Sequence, residues 1–341
     1  MKRTYIKDLK EQVGKEVSIS GFVHTIRVQS KIIFIILRDI TGLVQLVVMK
    51  ENANFDLAKD LSSESVIKIS GTVKEEKNAI GGVEIHPDTL VVLSKSNPEL
   101  PIPVVTKKGN EETEAPIRFD YRWLDLRKPE KAKIFKVWTM LEKGFRDYYL
   151  NNNFIQVYSP SFMSTPSETG AEVFEVKYFD RLAYLAQSPQ FYKQMAIASG
   201  FEKVFMMGPI FRAEESFTTR HMTEFTGWDF EMGYIDSHHD IMDNEEGMIV
   251  SGMEAIKQAM PDLDITIPQR PFPRIPIVEA KKILKDRGFS SGEEHDLSPE
   301  EEKGIWEYVK ETKNHDFVFI TDYHKSKSAF YHMRHENDND R

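Results

Sequence analysis

The segment GPIFRAEESFTTRHMTEF, Gly208 to Phe225, gathers side chains that suit a nucleotide. Arg212 and Glu214 stand two apart behind the apolar run MMGPIF, a spacing that sets both on one face of a strand. An antiparallel hairpin would place them against Thr223 to Phe225, with the polar residues between as its tip. Inside a sheet such an arginine wants an anion, and phosphate is a natural partner. On an exposed strand the same pair is a weak salt bridge. Phe225 reads either as a ring for an adenine or as a core residue. Arg220 and His221, adjacent at the far end of the tip, suit a polyphosphate.

Two further groups carry chemistry. Asp229 and Glu231 repeat the two-residue spacing beside Trp228, Phe230 and Met232, a pair that can take an amino group or a metal, or simply face water. Near the N-terminus, Phe34 and Gln45 fall on neighbouring expected strands, with Arg27, Gln29 and Lys31 just upstream. An exposed phenylalanine stacks on a base, while Gln and Arg contact base edges and phosphates. The same Phe34, set among Ile32, Ile33, Ile35 and Ile36, equally reads as barrel core. His238-His239 reads as a helix start. The chain has no P-loop, no GxGxxG and no zinc spacing.

These residues need elements to hold them. VSISGFVHTIRV, KIIFIILRD, LVQLVVMK, VIKISGTVK and VEIHPDTLVVLS are β-rich runs separated by turn signals such as Asp39-Ile40-Thr41-Gly42. Leu57 to Ser63 is a short helical candidate between the third and fourth. That is the order of an OB-fold, a small barrel that binds single-stranded nucleic acid, and it places an all-β domain over residues 1–97. Residues 98–125, proline-rich and of mixed charge, read as a hinge. Residues 126–341 then open on a helix with Ile134, Val137, Trp138 and Leu141 on one face. Strand candidates follow in FIQVYSPSF, EVFEVKYF, AYLAQSP, KVFMMGPIF and EFTGWDFEM, with helices over Ser188 to Gly200 and Ile241 to Met260. Strands joined by short links predict an antiparallel sheet with packed helices, an α+β domain and not a Rossmann fold.

Composition bounds the classes. A chain of 341 residues suggests two domains, and 40% hydrophobic with 29% charged residues fits a globular protein. No apolar run nears the length of a membrane span, and no apolar h-region follows the basic start. With no cysteine, disulfides and thiolate metal sites are excluded, which fits a reducing cytoplasm. A formal charge of −9 argues against a general nucleic-acid coat but allows a local basic groove.

Taken in order, the segments resemble the aspartyl-tRNA synthetases, class II enzymes, of the archaeal and eukaryotic type. FRAE followed by a loop and RHMTEF resembles motif 2 of that class, and FIQVYSPSF, with Pro160, resembles motif 1, part of the class's dimer interface. QSPQFYKQ, Gln187 to Gln194, is similar to the aspartate-binding segment, and GFVHTIRVQ with FIILRDITGLVQ resembles the anticodon-reading OB-fold. The resemblance covers nearly the whole chain. It implies an aspartate-tRNA ligase that uses ATP and Mg²⁺, acts on tRNA(Asp) and in some members also tRNA(Asn), and forms a homodimer. Arg212 would hold the α-phosphate, Glu214 the adenine or the tRNA end, and Phe225 would stack on adenine. Arg220 and His221 would lie near the β- and γ-phosphates. Ser167 and Glu168 would belong to the loop that closes over aspartate. Gln190 and Lys193 would bind aspartate, Lys193 through its side-chain carboxylate, and Asp229 would take its ammonium. Arg27, Gln29, Phe34 and Gln45 would engage the anticodon.

The resemblance also implies features that the residues up to Arg341 do not match. These are a glycine-rich third motif with an ATP-clamping arginine, downstream acids for Mg²⁺, and an arginine that reads aspartate's side chain. The chain therefore reads as the N-terminal part of a synthetase whose catalytic domain carries motifs 1 and 2. The alternative is a non-catalytic tRNA-binding paralog. Glu168-Thr169-Gly170 also stands where many relatives have Glu-Gly-Gly. An asparaginyl enzyme is disfavoured by QSPQFYK, and an asparagine synthetase by the anticodon domain.

Overall fold

The computed structural model describes residues 2–105, 111–167, 173–214, 221–335, 338 and 340, in two compact units, Met1–Phe135 and Lys136–Arg341. In the first unit five strands close into a barrel. They are β1 (Glu16–Val28), β2 (Ile32–Asp39), β3 (Gly42–Met49), β4 (Val66–Glu75) and β5 (Val83–Ser94), in the order β1-β2-β3-β5-β4. Alternation decides what faces inward. Ile33, Ile35 and Leu37 from β2 meet Val44, Leu46 and Val48 from β3 and Ile67 and Ile69 from β4 in a sealed core. Each such side chain contributes about 1.5–3 kcal/mol by leaving water. The expected short helix lies between the third and fourth strands as α1 (Phe55–Lys59).

The stretch expected as a hinge is packed. Ile102 and Val104 form a small buried cluster with Leu124 of α3 (Arg122–Asp125), which follows α2 (Ala115–Asp120). Charge ties this stretch to the barrel. Glu64 is buried, and it accepts both guanidinium arms of Arg38 at 3.0 and 2.8 Å and an arm of Arg127 at 3.1 Å. His24, whose pKa is lowered by burial and then by Arg38, accepts from Arg38 at 2.7 Å. Prolines and charges hid this packing, because its two halves are far apart in sequence.

The second unit takes the C-terminal part of α4 (Pro129–Asn151), and the face predicted for this helix is corrected. Ile134 and Trp138 are exposed, whereas Gly144 and Tyr149 are buried. A Cβ at Gly144 would meet the Ser251 carbonyl oxygen at 2.4 Å, so α4 touches α6 (His238–Ala259) backbone to backbone. Tyr149 stacks on Phe205 with centroids 4.8 Å apart, and Phe154 and Met248 complete that core. Ser237 caps α6 just before His238 and His239, the expected helix start.

β10 (Lys203–Phe211) and β11 (Glu224–Met232) form the expected antiparallel hairpin, while β6 (Ile155–Gln156) joins β10 in parallel. A smaller antiparallel sheet orders β7 (Phe162–Met163), β9 (Arg181–Leu185) and β8 (Glu175–Tyr178). Helix α5 (Gln190–Ala198) packs on the β10–β11 hairpin. β12 (Arg274–Pro276) pairs with β13 (Phe319–Thr321) beside α7 (Ile277–Asp286) and α8 (Pro299–Lys313). Among the described residues no helix is long and apolar enough to cross a membrane.

One carboxylate fixes α8. Glu301 completes a capping box with Ser298 and accepts from Lys281 at 2.8 Å. Burial pushes its carboxyl up, but Lys281 and donors from Ser298 and Ser291 outweigh this and hold it at about 2. A depressed folded pKa gives stability that is present above the unfolded value of 4.5 and is lost as pH falls towards 2. Glu301→Gln is expected to flatten acid unfolding of this unit across that window. A pH-titrated melt unchanged by the substitution would remove Glu301 as the cause.

Candidate functional site

The β10–β11 hairpin builds the floor of the site. Gly208 faces Gly227 across the ladder and Met206 faces Asp229. The two glycines open a pocket walled by Ser161, Ser188, Ile210 and Asp229. At Gly227 a Cβ would fall 2.8 Å from Ile210 Cδ1 and 3.2 Å from an Asp229 oxygen, so a side chain there would close the floor.

Helix α5 brings in the cation. Lys193 is only 5% exposed, and its Nζ donates to Asp229 Oδ1 at 2.8 Å while Glu231 Oε2 lies 3.7 Å away. Gln190, one turn earlier, donates to Glu231 Oε2 at 3.4 Å, and its backbone N–H donates to Ser188 Oγ at 3.3 Å. The structure thus gathers Gln190, Lys193 and Asp229, three residues named from sequence, around Glu231, which sequence reading left out of the substrate set. Its two-residue spacing from Asp229 was the available signal. The Ser167 N–H donates to the side-chain oxygen of the buried Gln187 at 3.1 Å, and the Ser167 hydroxyl is buried with no partner among the described residues.

At the open end of the hairpin one detail of the sequence reading shifts. β10 ends at Phe211, so Arg212 and Glu214 lie just past the strand and not within it. The ladder is still closed there, because the Arg212 N–H donates to the Thr223 carbonyl at 3.1 Å. The Arg212 guanidinium carbon sits 5.5 Å from the centre of the Phe225 ring. Its Nε is buried and has no acceptor among the described residues. A buried guanidinium donor left open in this way is costly unless an anion completes it. Glu214 Oε2 lies 3.7 Å from His221 Nε2. Arg220 and Glu168 lie outside the described residues.

On the barrel, Phe34 stands on the outer face, with the Arg27 guanidinium 4.7 Å from its ring centre. It belongs to none of the barrel's core layers, which removes the core reading. Gln45 faces outward from β3 and donates to Glu84 Oε2 at 3.0 Å. Gln29 is exposed at the β1–β2 turn, where its N–H donates to Ile32. Glu84 and its neighbour His86 were not legible as partners of Gln45, since β3 and β5 meet from 39 residues apart.

Residues 17–93 match the family described as an OB-fold nucleic acid binding domain, and residues 114–341 match the tRNA synthetases class II (D, K and N). The Aspartate–tRNA(Asp/Asn) ligase of Aeropyrum pernix is 38% identical across 98% of this chain and 78% of that protein. The Aspartate–tRNA(Asp) ligase of Picrophilus torridus is 39% identical, covering 97% and 78%. Among solved structures, the asparaginyl-tRNA synthetase of Pyrococcus horikoshii with asparaginyl-adenylate superposes with a TM-score of 0.89 at 34% identity, covering all of this chain and 79% of that one. Sequence, barrel and hairpin agree, and the chain belongs to the class II tRNA synthetases of the D, K and N group.

Proposed function

We propose that this chain is an aspartate-tRNA ligase, with tRNA(Asp) as acceptor and the cytoplasm as its compartment. The observation that carries the reading is the buried Lys193 ammonium beside the pocket, a cation suited to a substrate side-chain carboxylate. Asp229 then takes the substrate ammonium, and Gln190 and Ser167 border the same amino acid. ATP is a substrate here, and the buried Arg212 Nε, which has no acceptor among the described residues, fits with the Phe225 ring a phosphate next to a base. Glu214 and His221, with Arg220, serve the remainder of the nucleotide. Among the described residues no group of three acids or histidines is placed to hold a metal ion, so no Mg²⁺ ligand is assigned.

The chemistry asks for position more than proton transfer. The aspartate α-carboxylate is already a nucleophile; it attacks the α-phosphorus and pyrophosphate leaves. Arg212 stabilises the charge that builds on the α-phosphate. The terminal ribose hydroxyl of tRNA then displaces AMP from the mixed anhydride. ATP–pyrophosphate exchange tests the proposal: aspartate is expected to support it and asparagine to fail. Exchange with asparagine alone would move the chain to the asparagine-specific branch, and tRNA binding without exchange would make it a non-catalytic paralog. Charging of tRNA(Asn) transcripts, measured alongside tRNA(Asp), decides the breadth of acceptor.

Two associations complete the reading. Ile155 and Tyr158, exposed within motif 1, and the exposed Trp138 of α4 suit a homodimer, which sedimentation at a single protomer mass would refute. Phe34, with Arg27, Gln29 and Gln45, forms the anticodon face. Phe34→Ala is expected to cost about 1–3 kcal/mol in tRNA affinity while leaving the barrel folded. Titration of labelled tRNA, paired with a thermal melt, reads both.

A further inference from the structure

The outer face of the barrel holds a chain of hydrogen bonds that ends on Gln45. Lys74 Nζ lies 3.4 Å from His86 Nδ1, His86 Nε2 lies 2.8 Å from Glu84 Oε1, and Gln45 Nε2 lies 3.0 Å from Glu84 Oε2. Each direction follows from the groups alone. An ammonium only donates, so Nδ1 of His86 accepts and its Nε2–H turns to Glu84. A carboxylate only accepts, so the amide of Gln45 must turn its NH₂ towards Glu84. The Gln45 amide is thereby held in one orientation, with its carbonyl oxygen turned away from Glu84 and its second N–H still available. The strand pattern supports the placement: Gln45 pairs with Glu84 across β3 and β5, and Lys74 pairs with Glu84 across β4 and β5. Gln45 and Glu84 alternate outward from Val44, Leu46, Val83 and Ile85, whose side chains fill the core.

We infer that Glu84, braced by His86 and Lys74, is a positioning residue that sets base specificity by locking the amide of Gln45 in one orientation, its carbonyl oxygen placed as the acceptor for the base. The inference rests on the barrel being the anticodon face. A free glutamine can turn its amide over and accept either of two bases whose Watson–Crick edges exchange donor and acceptor. Uracil presents N3–H where cytosine presents a bare N3, and guanine presents N1–H where adenine presents a bare N1. A locked acceptor favours the N–H partner of each pair, and an unlocked amide tolerates both. Glu84 itself need not touch the RNA for this to hold.

The test uses the whole chain and labelled anticodon stem-loop RNAs whose three central loop bases are exchanged singly, uracil with cytosine and guanine with adenine. For the unaltered protein one position is expected to favour the N3–H or N1–H base on the order of tenfold. Glu84→Gln offers Gln45 both a donor and an acceptor, and should bring that ratio to within about twofold. Glu84→Ala should do the same, and His86→Ala should move it in the same direction by less. Removing a carboxylate near phosphates raises affinity for every RNA, so the ratio and not the affinity is the readout. An unchanged ratio in both Glu84 variants, or affinities that shift alike with the ratio kept, overturns the inference while leaving the anticodon face intact. If the unaltered protein shows no base preference at any of the three positions, the anticodon reading of the barrel fails and the inference with it.

Discussion

Lys193→Met is expected to lower kcat/KM for aspartate by about 10²- to 10³-fold in ATP–pyrophosphate exchange. The substitution keeps most of the side chain's volume and removes only its charge. Asp229 and Glu231 then lose a shared cation, at less than the cost of breaking a fully buried pair because both carboxylates are partly exposed. The substrate loses the same cation for its own carboxylate, so the two effects fall on one step. The loss should appear chiefly in the KM for aspartate, with the KM for ATP little changed, because Arg212 and Phe225 belong to the other end of the hairpin. Lys193→Arg keeps the charge on a broader planar group and should recover part of the activity, not all of it. A thermal melt separates loss of function from loss of fold. Unchanged aspartate kinetics in a folded Lys193→Met protein would sink this account of the pocket.

Gly144→Val should destabilise the second unit by about 3 kcal/mol, the upper part of the range for an overpacked contact. The usual reason for a glycine, a left-handed backbone, does not apply at this helical position. Its use is closeness: an added Cβ would meet Ser251 O at 2.4 Å and Gly252 Cα at 2.6 Å, and both are backbone atoms that no rotamer change can move. The approach also brings the Ser251 hydroxyl to the Gly144 carbonyl at 2.8 Å. Forcing α4 away from α6 would therefore loosen Tyr149, Phe205 and Met248 together. Gly292→Ala, at a glycine with no atom within 4 Å of the added carbon, is the matched control and should be near neutral. Urea unfolding followed by tryptophan fluorescence measures both. Equal stability for the two variants would mean that the helices can separate at little cost.

What could be read from sequence follows the reach of each signal. The barrel strands were legible to within a residue or two because one face is core and the other is not, so Ile33, Ile35 and Leu37 alternate with outward residues. The hairpin was legible because its apolar run and its acids sit on strands that are consecutive in the chain and pair directly, Lys203–Phe211 with Glu224–Met232. Gln190 and Lys193 came from resemblance; nothing in their spacing announces that a lysine on α5 is buried against two carboxylates of β11. For α4 the apolar spacing pointed at Ile134 and Trp138, but the helix packs where glycine lets it come close and where Tyr149 fills the gap. Periodicity measures apolarity and carries no information on backbone approach. Glu84 and His86 stayed hidden because their meaning depends on a strand pairing that brings Gln45 to them.

The three-way ion contact at Glu64 also bears on inheritance. Arg38 belongs to the barrel, while Arg127 comes from the stretch that follows it, 63 residues beyond Glu64. An exchange of gene segments that joined a foreign sequence just after residue 97 would keep Glu64 and Arg38 but drop Arg127, together with the buried cluster of Ile102, Val104 and Leu124. The piece that can be shuffled between proteins without such loss runs on to about residue 135, the edge of the compact unit. The barrel and its trailing segment are thus one heritable module, and a lineage that gains the first is expected to gain the second with it.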